Sequence, residues 1–226
     1  MTEHYDLDVH VSQTKNWASL QEYTIVAQRL RLTGLGIDAS SPFFSHKKGV
    51  YTVQKAGLHF YSRLTIKAEK IPQIKQLLAK NCQRALIIAV ETNEPNVCKW
   101  AAHDQRVDLI SIDPTHKEIF DEGLANLLKT HHKPAELIYA PLFKVNRTQR
   151  SKLLRNYYKI IDLILRKRVK LVISSGATSI FDLRRKREVV AIADQLGLPN
   201  NKTLEAISET PVQIIQERLE ENTPNL

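Results

Sequence analysis

The feature that most constrains this chain is a series of short, unbroken apolar runs, each the length of a strand. Leu86-Ile87-Ile88-Ala89-Val90, Leu137-Ile138-Tyr139-Ala140 and Leu171-Val172-Ile173 lack the polar residue at every second position that a half-solvated strand carries. A strand that is apolar throughout has both faces covered, which is the situation of a parallel sheet flanked by helices. Between most of these runs the apolar residues recur at the 3.6-residue period of a helix, so the chain reads as a succession of βα units.

About seven strands are expected: Tyr5 to Val11, where the alternation is of period two, then Gly34 to Asp38, Leu58 to Ile66, Ala85 to Val90, Val107 to Ile112, Glu136 to Ala140 and Leu171 to Ser174. A first helix is expected over Trp17 to Leu32, and Ser40 to Gly49, rich in Ser, Pro and Lys, reads as the least regular loop. Three short helices, Arg187 to Leu196, Thr203 to Ser208 and Val212 to Glu221, close the C-terminus. Two architectures satisfy this pattern, an open doubly wound sheet and a closed β/α barrel, and periodicity does not separate them. Only seven glycines are present and no G-x-G-x-x-G opens a helix, which removes the nucleotide-binding version of the open sheet. The expectation is therefore an α/β, TIM-barrel-like fold of about seven parallel strands with extra C-terminal helices, in one domain over residues 1–226. A chain of 226 residues, 42% of them hydrophobic, can bury one such core.

No run of about 18 apolar residues occurs, and Met1-Thr2-Glu3-His4 lacks the charged and apolar regions of a signal peptide, so a cytoplasmic protein with no membrane partner is expected. Cys82 and Cys98 are too few for a disulfide framework and read as reduced, buried thiols.

Charge narrows the function. The net charge is +9, yet 14 of the 33 Lys and Arg fall between Lys144 and Arg187 against two acidic residues, Asp162 and Asp182, so that segment carries +12 and the remainder −3. A basic patch on a faintly acidic body suits a polyanion, because neutralising phosphates releases counterions. Within the patch, Arg147 to Arg168 is the longest helical signal, with Leu153, Tyr157, Ile160, Ile161 and Ile164 on one face. Lys152, Arg155, Lys159 and Arg166 form the opposite stripe, broken by Asp162. After the last strand come Ser175-Gly176-Ala177-Thr178-Ser179 and then Arg184-Arg185-Lys186-Arg187 at a helix start, where the dipole disfavours cations by a few tenths of a kcal/mol; four in succession call for a compensating partner such as phosphate. Tyr158 is a further residue able to stack on a base, although partial burial explains it better.

An enzyme is the rival reading. Asp8, His10, Asp38, Glu91 and Asp113, with His103 and His116 nearby, lie close to expected strand ends, where a metal-dependent phosphoesterase keeps its ligands. Only Asp8-x-His10 is a paired fragment, and no second paired motif follows at a later strand end. G-x-S-x-G, the phosphate-binding P-loop and H-E-x-x-H are absent, and His131-His132 is explained by capping the C-terminus of a helix.

Taken together, Tyr5-Asp6-Leu7-Asp8-Val9-His10, Arg106-Val107-Asp108-Leu109-Ile110-Ser111, Ile173-Ser174-Ser175-Gly176-Ala177 with Leu183-Arg184, Leu196-Gly197-Leu198 and Ser208-x-x-Pro211-x-x-Ile214-Ile215 make the chain resemble, over nearly its whole length, archaeal ribonuclease P protein component 3, relatives of the thirty-kilodalton subunit of the human enzyme. That family is similar to the barrel of polymerase-and-histidinol-phosphatase metal hydrolases with the metal ligands largely lost. The resemblance implies binding to ribonuclease P RNA, assembly with protein component 2 and the other protein subunits, and precursor tRNA as the substrate of the whole particle. It also implies no cofactor or catalytic residue on the chain itself, magnesium being required by the RNA. Arg106 and Arg184 match family positions and are the leading RNA-contact candidates; Lys144, Arg147, Arg150, Lys152, Arg155, Lys159, Arg185, Lys186 and Arg187 follow from charge alone. Lys186 departs from the family, which usually has proline there, a favoured first-turn residue.

Overall fold

The computed structural model describes residues 3–11, 17–39, 44 and 52–222. Its strands are β1 (Tyr5–Val9), β2 (Gly34–Asp38), β3 (Thr52–Lys55), β4 (Leu58–Lys67), β5 (Ile87–Glu91), β6 (Leu109–Ile112), β7 (Ala135–Ile138) and β8 (Leu171–Ser174). Seven of them run parallel in the order β1-β2-β4-β5-β6-β7-β8, as a nearly closed barrel, and β3 pairs antiparallel with β4 outside that path. The sequence reading has no strand at β3. Three of its four residues, Thr52, Gln54 and Lys55, are polar and none is buried, and its hairpin turn uses Ala56-Gly57, both at positive φ (51° and 78°), rather than an Asn-Gly or Asp-Gly pair. The irregular loop expected over Ser40 to Gly49 lies outside the described residues except for Phe44.

The helices are α1 (Trp17–Arg29), α2 (Ile71–Asn81), α3 (Pro95–His103), α4 (Glu122–Thr130), α5 (Pro141–Lys144), α6 (Arg147–Lys167), α7 (Lys186–Gln195), α8 (Asn200–Leu204) and α9 (Thr210–Asn222). Prolines in the first turns of α2, α3 and α5 mark where strands hand over to helices, since proline there gives up an amide that has no helical partner in any case. β7 stops at Ile138 and not at Ala140, although the Tyr139 and Ala140 amides still donate to Ser174 O at 3.1 Å and Ser175 O at 3.0 Å. The long helix α6 starts on a reciprocal cap, with the Asn146 side chain accepting from the Gln149 amide at 3.0 Å. It ends at Arg168, which takes the left-handed conformation with φ 57°. Leu153, Tyr157, Ile160, Ile161 and Ile164 are its buried face, as the periodicity predicts.

The expected separate helices Thr203 to Ser208 and Val212 to Glu221 are instead one continuous helical run, α8 and α9 joined by a π-helical turn over Glu205–Glu209. Pro211 has no amide to donate, and the wide turn, with Thr210 N–H on Glu205 O, carries the helix past it.

Apolar side chains divide by strand face. Ile66, Ile88, Val90, Ile110, Leu137 and Ile173 point outward beneath α2, α3, α4, α6 and α7, and Leu35, Ile37 and Phe60 lie with Tyr23 and Ala27 of α1. Leu7, Ile87, Ala89, Leu109 and Val172 fill the barrel interior, where Ile214 and Ile215 of α9 pack against them. The β1 backbone comes close where its register with β2 shifts, so Gly36 has no room for a side chain: a Cβ there would meet the Leu7 backbone carbonyl.

Closure between β8 and β1 is made beyond the end of β8. The His10 amide donates to Ala177 O at 2.7 Å and the Ala177 amide to Asp8 O at 3.2 Å, while nearer the strand starts the seam is packed by α9.

Candidate nucleic-acid interface

In a β/α barrel functional groups collect where the strands end. Here that end is occupied by a buried ionic network centred on Arg63 of β4, a residue the sequence reading passed over. Its guanidinium, 2% exposed, makes a two-pronged contact with the fully buried carboxylate of Glu136 on β7, at 2.7 and 2.6 Å. The same guanidinium donates to Leu7 O at 2.9 Å, Thr65 Oγ1 at 2.9 Å and Ser111 Oγ at 3.2 Å, and its Nε lies 3.1 Å from Asp8 Oδ1. Ser174 donates to Glu136 at 2.6 Å and Ser111 also donates to it. Every donor of the cation therefore has an acceptor, which is the condition for burying a charge.

Asp8, a metal-ligand candidate only under the rival enzyme reading, is thus an ion-pair partner of Arg63. Burial alone raises its pKa, but the adjacent Arg63 charge and the hydrogen bond from His10 hold it below the usual carboxylate range. His10, half-exposed with Nε2 3.4 Å from Asp8, is pushed up by that carboxylate. Asp6 sits at the β1/β8 seam, where its Oδ1 accepts the Ser175 amide at 3.0 Å; burial pushes its pKa up to about 7. The other strand-end acids serve local contacts: Glu91 pairs with Lys67 at 2.8 Å, and Asp113 receives the Thr115 amide at 2.8 Å and lies 3.2 Å from His116. His103 is elsewhere, edge-on to His131 with ring centroids 4.5 Å apart. No cluster of three or more His, Cys, Asp or Glu side chains among the described residues is placed to hold a metal ion.

The basic candidates lie on the outside of the barrel and divide into two groups. Several are tied to the fold. Arg106, in the turn between α3 and β6, is locked onto Asp104 through Nε at 2.9 Å and NH2 at 2.6 Å. Arg150 ties down the short α5 by donating to Leu142 O at 2.9 Å and Val145 O at 3.3 Å. Lys144 reaches Thr178 at 2.9 Å and Asp182 at 3.3 Å, and Arg166 of the stripe pairs with Asp162 at 2.9 Å. Arg184 donates to the carbonyls of Phe181 and Leu183 and lies 5.1 Å over the Phe143 ring.

The second group, Arg147, Lys152, Arg155, Lys159, Arg185 and Arg187, is exposed and forms no ion pair among the described residues. Tyr157 and Ile161 of α6 and Val189 and Ala193 of α7 line one small apolar pocket between the two helices. Lys186 opens α7, and the helix start is held by Glu188, which accepts the Arg185 amide at 2.9 Å. Beside these charges stand exposed aromatics: Phe181 is 80% exposed, and Phe143 and Tyr158 are about half so. Rings of this kind stack on unpaired bases, and guanidiniums beside them hold the backbone.

A sequence profile of the RNase P subunit p30 family matches residues 3–223. Ribonuclease P protein component 3 of Methanosarcina barkeri is 27% identical over 213 residues, covering 93% of this chain and 88% of that protein. The same component of Methanococcoides burtonii is 25% identical over 219 residues, covering 95% and 88%. Among solved structures, a chain in the cryo-EM structure of archaeal ribonuclease P with mature tRNA superimposes with a TM-score of 0.76 at 20% identity, covering 97% of this chain and 94% of that one. A Xaa-Pro dipeptidase shares the fold at a TM-score of 0.57 and 9% identity, over 96% and 76%. With a barrel of the same shape and a profile match spanning every described strand and helix, the chain belongs to the RNase P subunit p30 family.

Proposed function

We propose that this chain is a protein subunit of ribonuclease P that binds and stabilises the catalytic RNA, which removes the 5′ leaders of precursor tRNAs, and that it has no hydrolytic site of its own. The observation that carries the reading is the set of exposed cations Arg147, Lys152, Arg155, Lys159, Arg185 and Arg187, which form no ion pair among the described residues, in a chain of this family. Such side chains screen repulsion between phosphates in a folded RNA and add affinity that falls with salt. Protein component 2, the other protein subunits and the precursor tRNA complete the assembly, and bond cleavage is left to the RNA with its magnesium ions.

The barrel mouth supports the second half of the reading. Where a metal hydrolase keeps cations between carboxylates, this chain puts the Arg63 guanidinium between Asp8 and Glu136. A guanidinium supplies fixed charge but neither an exchangeable water nor a Lewis-acid site, so the network holds strands together and activates no nucleophile.

Reconstitution with the RNA and component 2 tests the proposal. Leaving out this chain is expected to lower precursor-tRNA cleavage at moderate magnesium, and unchanged cleavage overturns it. Elemental analysis of the purified protein together with a phosphoesterase assay decides the rival: a stoichiometric divalent metal and hydrolysis lost in Asp8→Asn and His10→Gln identify an enzyme in its own right.

A further inference from the structure

On the outside of the β1/β8 seam lies an open cleft of about 560 Å³, lined by His4, Arg29, Leu30, Arg31, Arg185, Lys186 and Arg187. It brings together residues from opposite ends of the chain. Arg29 ends α1 and Arg31 follows it, whereas Arg185 to Arg187 begin α7. Only the second set belongs to the basic segment visible in the sequence; Arg29 and Arg31 lie in the part that carries net negative charge.

Three observations say that the cleft is built for a polyanion. First, Arg29, Arg31, Arg185 and Arg187 form no ion pair with a carboxylate among the described residues, so their charges are not consumed by the protein. The α1 terminus accounts for a cation at Arg29 through the helix dipole, but the dipole at the start of α7 opposes cations, and both sets face one cleft. Second, Arg31 holds a left-handed backbone, φ 59°, at the position after a helix where glycine is the unstrained choice. Third, His4 is 4% exposed and its Nδ1 has no hydrogen-bond partner, while its backbone is fixed by the Thr33 amide, 2.7 Å from His4 O, and by Thr33 Oγ1 at 3.0 Å. The His4 ring is thus a buried polar group in the wall of the cleft with hydrogen-bonding capacity unused by the described residues.

We propose that this cleft seats the phosphodiester backbone of RNA, with Arg29 and Arg31 completing a site whose other half is Arg185, Lys186 and Arg187. The site joins the α7 end of the basic surface to α1, so the RNA path crosses the seam of the barrel and is not confined to α6. The proposal rests on the RNA-binding reading above and specifies where that RNA lies.

The test uses the full chain and an in vitro transcript of an archaeal ribonuclease P RNA, with affinity measured from low to moderate salt. Arg29→Gln/Arg31→Gln is expected to weaken binding roughly tenfold near 0.1 M salt and to reduce the slope of log affinity against log salt by about 1.5. Lys80→Gln/Arg84→Gln, which removes the same charge outside the cleft, is expected to leave affinity within about twofold. Binding by the wild type with an unchanged slope in the Arg29/Arg31 variant overturns the cleft and leaves the RNA reading standing. An equal loss in both variants also overturns it, because net charge is then the cause. A wild-type chain that binds no RNA overturns the RNA reading and the cleft with it.

Discussion

Arg63 and Glu136 stand 73 residues apart and meet below the barrel mouth, where both are buried. A buried charge that loses its partner costs about 3–5 kcal/mol, more than the intact pair contributes over an apolar substitute. Glu136→Ala is therefore expected to lower unfolding stability by that amount in urea titrations; Glu136→Gln keeps one acceptor but sets an amide NH2 against an Arg63 N–H, and is expected to lose a comparable amount. Equal stability of Glu136→Ala and wild type contradicts a buried Arg63 charge that depends on this partner. Asp6 acts in the opposite sense. Its folded pKa of about 7 lies above the ordinary 3.8, so the native state binds the proton more tightly and stability falls as pH rises from about 4 through about 7. At pH 8 the cost approaches about 4 kcal/mol, an upper bound from roughly three pKa units at 1.36 kcal/mol each. Asp6→Asn should accordingly gain on wild type as pH rises across that window, and a parallel pair of stability profiles contradicts the assignment. Both charges could be seen in the sequence as polar residues inside strand-like stretches. Which partner each would find depended on strands pointing inward at the same height, which no local pattern encodes.

Local elements were more legible. The 3.6-residue period of α6 stated both its length and its buried face, because every residue of that face meets the same sheet. Its outward stripe is then a surface that can be altered without touching the core. Lys152→Gln/Arg155→Gln/Lys159→Gln is expected to leave thermal stability within about 0.5 kcal/mol of wild type while reducing the salt slope of RNA binding by about two. A full wild-type slope removes α6 from the RNA face. The β3–β4 hairpin was not legible: its turn takes left-handed conformations at Ala56 and Gly57, and an alanine there gives no turn signal. Ala56→Gly relieves the Cβ strain at φ 51° and is expected to raise stability by about 0.5–1 kcal/mol in chemical denaturation; a loss instead shows that the added freedom of the unfolded chain outweighs it.

At the scale of the whole molecule, the barrel is closed by two devices that lie far apart in sequence, the Ala177 bridge at one end of the seam and α9 at the other. Removing residues 210–222 uncovers Leu7, Ile87, Leu109 and Val172 and is expected to turn cooperative unfolding into a broad transition with strong binding of a hydrophobic dye; a sharp transition shows that the seam holds without α9. The p30-family match and the superposition on the archaeal ribonuclease P chain agree with this architecture. By itself the sequence determined the βα alternation, the buried face of α6 and the excess of positive charge between Lys144 and Arg187, since each is a periodic or additive property of consecutive residues. Tertiary structure alone decided that the sheet curls into a barrel, that Arg63 sits between Asp8 and Glu136, that Arg106 and Arg150 spend their guanidiniums on the fold, and that Arg29 and Arg31 join the start of α7 around His4. Those outcomes depend on which strand faces and helix ends the closed sheet brings within a few ångströms, and that distance is not a function of position along the chain.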